Sequence, residues 1–277
     1  MQTLLNHPAV QAAAVPFVVA LVLAFALART RALAVAVASG LVVELALTVG
    51  FALEPLTAMR KMVVVTLAAT AIAVVLEAAG VAQRRGITVV LAGVTALAAA
   101  WVLQRVLAQK EPAAAVWMGT GAVAFVFAVV GSSLQAATAS PLPASVVAAC
   151  LGWGTGVLAL FGASALLAQL GLALGTAGAA VALVQMIRGQ ESPLGWTLAL
   201  PAAVGAALVA LLASATGELP WYCLLPLPLV PWAARLVRAP SGALWRNGFG
   251  AGCAALVPVL LAVGVAWFAA RQPSPAG

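Results

Sequence analysis

Glu44 is the residue of this chain best placed to do chemistry. It lies near the middle of an apolar run covering 32–53, where an acidic side chain costs roughly 2.5–3.5 kcal/mol to insert. Gly40, Glu44 and Thr48 recur at every fourth position, which puts them on one face of a helix. Ionisable residues at such depth face a bundle interior or a hydrated cavity. Desolvation penalises the charged form of a carboxyl, so proton uptake and release is the chemistry open to it. The competing reading is a protonated acid that holds a neighbouring helix by a hydrogen bond. No cationic residue is visible at its depth in the sequence, and both readings stand.

Glu77 shares a face with Thr66, Thr70 and Ala73 in the next run, 62–81. It falls about four residues from the cytoplasmic end of that run, within reach of Arg84 and Arg85 and of the interface by snorkelling. An interfacial carboxylate is far cheaper than a central one, which favours a structural role. The depths of Glu44 and Glu77 differ by roughly 12 Å at 1.5 Å per residue. That separation is too long for a shared proton and is compatible with successive stations on one path.

Little else in the chain offers reactive chemistry. The six acidic residues are all glutamates, and the one histidine, His7, stands near the start. The lack of aspartate closes Asp-based catalysis and Asp-held magnesium, and a single histidine closes bis-histidine haem and histidine-cluster metal sites. Cys150, Cys223 and Cys253 sit alone in apolar runs without metal or redox spacing. Gly162-Ala163-Ser164-Ala165 lacks the closing glycine of a serine nucleophile elbow. Neither a Walker loop nor a GxGxxG turn is present. The expectation is a protein that is not an enzyme, with no catalytic residues, no metal and no cofactor.

The elements that carry these residues follow from composition. Of the 277 residues, 65% are hydrophobic and 7% charged, with a mean hydropathy of +1.16; a soluble domain carries roughly 25% charged residues. The net charge of +7 comes from Lys and Arg scattered singly or in pairs between apolar runs. No basic stretch interleaves with aromatics, so the footprint of a nucleic-acid binder is missing. Apolar runs fall near 8–28, 32–53, 62–81, 87–108, 113–131, 143–162, 164–187, 194–213, 220–237 and 248–270. Each approaches the roughly 20 residues that cross a bilayer as helix, and their length excludes the alternating pattern of a membrane barrel. The expected fold is all-α: a polytopic bundle of about ten transmembrane helices in one domain over 1–277. Phe161-Gly162-Ala163-Ser164 supplies the break between the sixth and seventh runs.

Ala26-Leu27-Ala28 follows an apolar stretch that no basic residue precedes, so the first run reads as a retained helix and not a cleaved signal. With the first loop cytoplasmic, Arg29, Arg31, Arg84, Arg85, Arg188, Arg235, Arg238 and Arg246 lie inside, against Arg60, Lys61, Arg105, Lys110 and Arg271 outside. That imbalance places both termini outside. The Ala- and Val-heavy usage resembles that of a GC-rich genome, which suggests a bacterial inner membrane.

Several residues have packing roles. Pro226, Pro228 and Pro231 make a regular ninth helix untenable, and a broken helix frees backbone groups that transporters use to hold ions or substrate. Gly152 and Gly156, then Gly171, Gly175 and Gly178, make flat patches on the sixth and seventh helices. Such surfaces allow close helix approach, here between the two helices themselves, with homodimerisation as the alternative. Gln169 and Gln185 suit interhelical hydrogen bonds, and Arg105 suits snorkelling. Trp153, Trp196, Trp221, Trp245 and Trp267 suit an interfacial aromatic belt. Ten runs also divide into halves, 8–131 and 143–270, which five-helix units would insert in opposite orientation as an inverted repeat. Glu54-Pro55 is loosely echoed by Glu191-Ser192-Pro193, and Trp101 to Arg105 by Trp232 to Arg235.

In span count and length the chain resembles the drug/metabolite transporter superfamily, a likeness that covers no motif. The expected function is a small secondary transporter of an unidentified small molecule or ion, proton-linked through Glu44, with the lipid bilayer as its surroundings. The alternative is a non-catalytic subunit or assembly factor of a larger membrane complex, which suits the short loops and the scarcity of charged residues.

Overall fold

The computed structural model describes residues 13–27, 34–48, 56–80, 85–138, 141–189, 195–216, 219–237 and 244–271. Within them the elements are α1 (Val15–Leu27), α2 (Ala34–Thr48), α3 (Ala58–Ala78), α4 (Arg85–Leu107), α5 (Pro112–Ala137), α6 (Pro141–Phe161), α7 (Ala165–Arg188), α8 (Gly195–Thr216), α9 (Val230–Leu236) and α10 (Leu244–Arg271). No strand occurs among the described residues, and the chain is a helical membrane bundle. Among the described residues seven helices, α3 to α8 and α10, are long and apolar enough to cross a bilayer, fewer than the ten expected. The described parts of α1 and α2 have 13 and 15 residues, short of the roughly 20 required. The proline-rich stretch folds as two 3-10 turns, Trp221–Leu224 and Leu227–Leu229, followed by the seven-residue α9. Prolines 226, 228 and 231 lack the N–H that a continuous ladder needs.

Helix starts follow local capping. Thr57 caps α3, its Oγ1 accepting from the Arg60 N–H at 3.4 Å, so α3 begins four residues before the apolar run and carries Lys61 inside it. Pro112 opens α5, where its missing N–H is harmless. Between α6 and α7 the chain turns at Phe161–Ser164, and Ser164 Oγ accepts from the Leu167 N–H at 3.4 Å. The left-handed residue of this turn is Ala163, at φ 55°. Gly162 is needed for another reason: a Cβ there would lie 3.0 Å from the Ala213 carbonyl oxygen of α8.

α8 is the axis of the bundle. Every residue from Gly195 to Ala213 is buried, as expected of a helix that is apolar all round. α2, α3, α5, α6 and α7 surround it. The tightest pairing is α6 with α7, where backbone meets backbone. A Cβ on Gly152 would lie 2.5 Å from Gly175 Cα, one on Gly171 would lie 2.6 Å from Gly156 Cα, and one on Gly178 would lie 2.7 Å from Ala149 N. These glycines are therefore engaged between the two helices of one chain. α1 and α2 pack on each other and on α7. α4 pairs with α5, and α10 packs on α6 and α9.

Candidate functional site

Glu44 sits in the third turn of α2 and is 0% exposed. Its surroundings come from four helices. One turn earlier, Gly40 lies against Ala173 and Ala177 of α7, so closely that a Cβ would come within 2.7 Å of both. Leu41, Leu174 of α7 and Thr66 of α3 converge on Gly205 of α8. Glu44 is four residues beyond Gly40 and three beyond Leu41, so it shares their face and enters the junction of α2, α3, α7 and α8. Neither carboxyl oxygen has a hydrogen-bond partner among the described residues. The hydroxyls around it are turned to their own helices. Thr48 Oγ1 donates to the Glu44 backbone carbonyl at 2.7 Å, Thr66 Oγ1 to Met62 O at 2.9 Å, and Thr70 Oγ1 to Thr66 O at 2.8 Å. Thr48 thus binds the backbone of Glu44 and leaves its carboxyl alone.

Glu77 is placed differently. Its Oε2 accepts from the backbone N–H of Thr197 at 3.1 Å, the third residue of α8. The first N–H groups of a helix have no partner within it, and a carboxylate there also meets the positive end of the helix dipole. α3 therefore caps α8. Thr197 and Gly205 are eight residues apart on α8, roughly 12 Å, and Glu44 lies near the Gly205 level. The two glutamates share α8 as a neighbour without sharing a site.

Pro226, Pro228 and Pro231 are not brought to Glu44. Their segment packs among α5, α6, α8 and α10, whereas α2 meets α7, α1, α3 and α8. α8 stands between the two candidate elements.

Lys61 is a residue the sequence reading misplaced. Expected in an outer loop, it lies in the first turn of α3 and is 6% exposed. Its Nζ donates to the Trp101 carbonyl of α4 at 3.0 Å and sits 4.6 Å from the centroid of the Trp101 ring. The available signal was Thr57, an N-cap residue three positions before Arg60. Trp196 departs from the expected aromatic belt as well, being fully buried at the start of α8, and Trp153 lies mid-helix in α6. Gln185 joins α7 to α6, with Ser145 Oγ 3.0 Å from its Oε1. Arg188 of α7 donates to the Phe25 carbonyl at 3.2 Å, which ties together the ends of α1 and α7.

Ser133 lines a narrow apolar crevice between α5, α6 and α8 that has no room for a water molecule, and its hydroxyl has no partner among the described residues. Cys150 and Cys223 are buried and Cys253 is exposed, all as free thiols. No group of three His, Cys, Asp or Glu residues that could hold a metal occurs among the described residues. His7, Arg29, Arg31, Arg84, Arg238, Glu54-Pro55 and Glu191-Ser192-Pro193 lie outside the described residues. Comparison with family models, with curated proteins and with solved structures finds no match.

Proposed function

We propose that the protein is a small secondary transporter in which Glu44 takes up and releases a proton. The observation that carries this reading is a carboxyl fully buried at a four-helix junction, with neither oxygen partnered among the described residues. A residue kept only as packing glue needs a bond to a neighbouring helix, and a buried polar group without one is a standing cost of about 1–3 kcal/mol. A proton-carrying group has a reason to bear that cost. In this reading access to Glu44 opens by separation of α2 from α7 or α8. α6 and α7, joined backbone to backbone, move as a unit. The broken stretch around Pro226, Pro228 and Pro231 contributes on the far side of α8. The finer layout we propose is ten crossings as two inverted five-helix halves, in a bacterial inner membrane with both termini outside.

The test needs no knowledge of the substrate. Proteoliposomes on a solid-supported membrane receive a pH jump, and the charge displaced is recorded. The wild type displaces charge, and Glu44→Gln, folded to the same extent by size exclusion, displaces none. Equal signals from the two would remove Glu44 from the mechanism. The rival reading, a non-catalytic subunit of a membrane complex, has its own readout: native mass spectrometry of gently extracted protein would then show a stoichiometric heteromer instead of a monomer or homodimer.

A further inference from the structure

We infer that the rim formed by the start of α3 and the end of α4 seats the headgroup of an acidic phospholipid, with the buried Lys61 ammonium at its base. Lys61 is the starting observation. Its ammonium is held by a neutral carbonyl and an aromatic face, which orient the charge without neutralising it, and none of the described carboxylates forms an ion pair with it. A buried cation without an anion is costly, and an anion from outside the chain would supply the partner that none of the described carboxylates provides.

The surroundings specify the kind of anion. The Lys61 ammonium meets α4 at Trp101, through both the carbonyl and the ring. Arg105 follows Trp101 by four residues and shares its face of α4. Lys110 lies in the turn after α4. The one described acid at this rim, Glu111, is exposed. Below the cations, Val90, Val94, Leu97 and Trp101 are all exposed and follow one another at helical spacing along α4. That apolar stripe runs away from the charged rim as acyl chains run away from a headgroup. A soluble anion has no use for the stripe, and a zwitterionic lipid brings its own ammonium to the phosphate. An anionic glycerophospholipid satisfies both the charge and the stripe.

The protein is placed in nanodiscs of phosphatidylcholine containing a minority of phosphatidylglycerol, and the lipid it retains is weighed by native mass spectrometry. Wild type retains phosphatidylglycerol in preference to phosphatidylcholine, and inorganic phosphate does not displace it. Arg105→Gln, an exposed change that leaves the packing intact, lowers retention about fivefold, the effect of one basic residue at a membrane surface. Lys61→Met lowers it at least as much, and should that variant aggregate, Arg105→Gln decides. Arg271→Gln, a basic residue beside Trp267 on α10, leaves retention unchanged. Equal retention by wild type and Arg105→Gln, equal retention of the two lipids, or displacement by inorganic phosphate would each overturn the inference.

Discussion

Replacing Glu44 by methionine separates what this residue does for the fold from what it does for function. The carboxyl is 0% exposed and its two oxygens have no partner among the described residues. Leaving a buried polar group unsatisfied costs about 1–3 kcal/mol. Methionine is unbranched, nearly as long and free of polar oxygens, so it fills the same space at the junction of α2, α3, α7 and α8. Swaps that conserve volume add little strain. The expected outcome is therefore stabilisation by about 1–3 kcal/mol, together with loss of the charge displaced by a pH jump. Gln keeps a polar amide in the same unpartnered place, so Glu44→Gln stays within about 1 kcal/mol of wild type. Thermal unfolding in mild detergent, followed through the eight tryptophans, reads all three proteins side by side. A gain in stability bought by loss of activity is the pattern of a functional polar group. A Glu44→Met protein that melts below wild type would refute the reasoning, because the carboxyl would then be making a bond that stabilises the bundle.

Three further substitutions test the packing. Gly152→Ala drives a methyl into the Gly175 backbone and lowers stability by about 1–3 kcal/mol, whereas Gly93→Ala, with nothing within 4 Å of the new methyl, gains up to about 1 kcal/mol in helix propensity; their melting temperatures should fall on opposite sides of wild type. Ala163→Gly relieves a left-handed alanine at φ 55° and raises stability by up to about 1 kcal/mol, seen as a higher melting temperature in the same detergent. Glu77→Gln removes the charge at the start of α8 while keeping an oxygen for the Thr197 N–H, and lowers stability by about 0.3–1 kcal/mol. Hydrogen exchange of the Thr197 amide should quicken in Glu77→Ala, which removes the acceptor altogether, and an unchanged rate there would mean that the cap does not protect α8.

The helices were legible because lipid leaves a chain few options: each crossing must satisfy its own backbone bonds, and the apolar runs show where. Their arrangement was not. α8 is 89% buried over its apolar window and α5 22%, although both are comparably apolar. In water such helices would differ in periodicity. In a bilayer the tails outside are as apolar as the core inside, so the pattern carries no label for which helix becomes the axis. Trp196 fails the aromatic-belt reading for the same reason. Its position along the chain gave its depth, but the belt also needs a lipid-facing radius, and α8 has none.

Charged and small residues divide along a related line. Glu44 could be singled out from sequence because a central acid is expensive wherever its helix faces. What the sequence withheld was whether a neighbour compensates it, since that depends on Gly40 bringing α2 onto α7 and on Leu41 reaching Gly205. Lys61 escapes a hydropathy reading because the apolar run begins after the charge, whereas the capping residue Thr57 begins the helix before it. Gly162 and Ala163 show that a break can be legible while the role of each residue in it is not. The turn falls where Ser164 can cap α7, yet its left-handed residue is the alanine. The glycine beside it is small because the Ala213 carbonyl of α8 lies against it, a demand made by a residue 51 positions away that no local rule can anticipate.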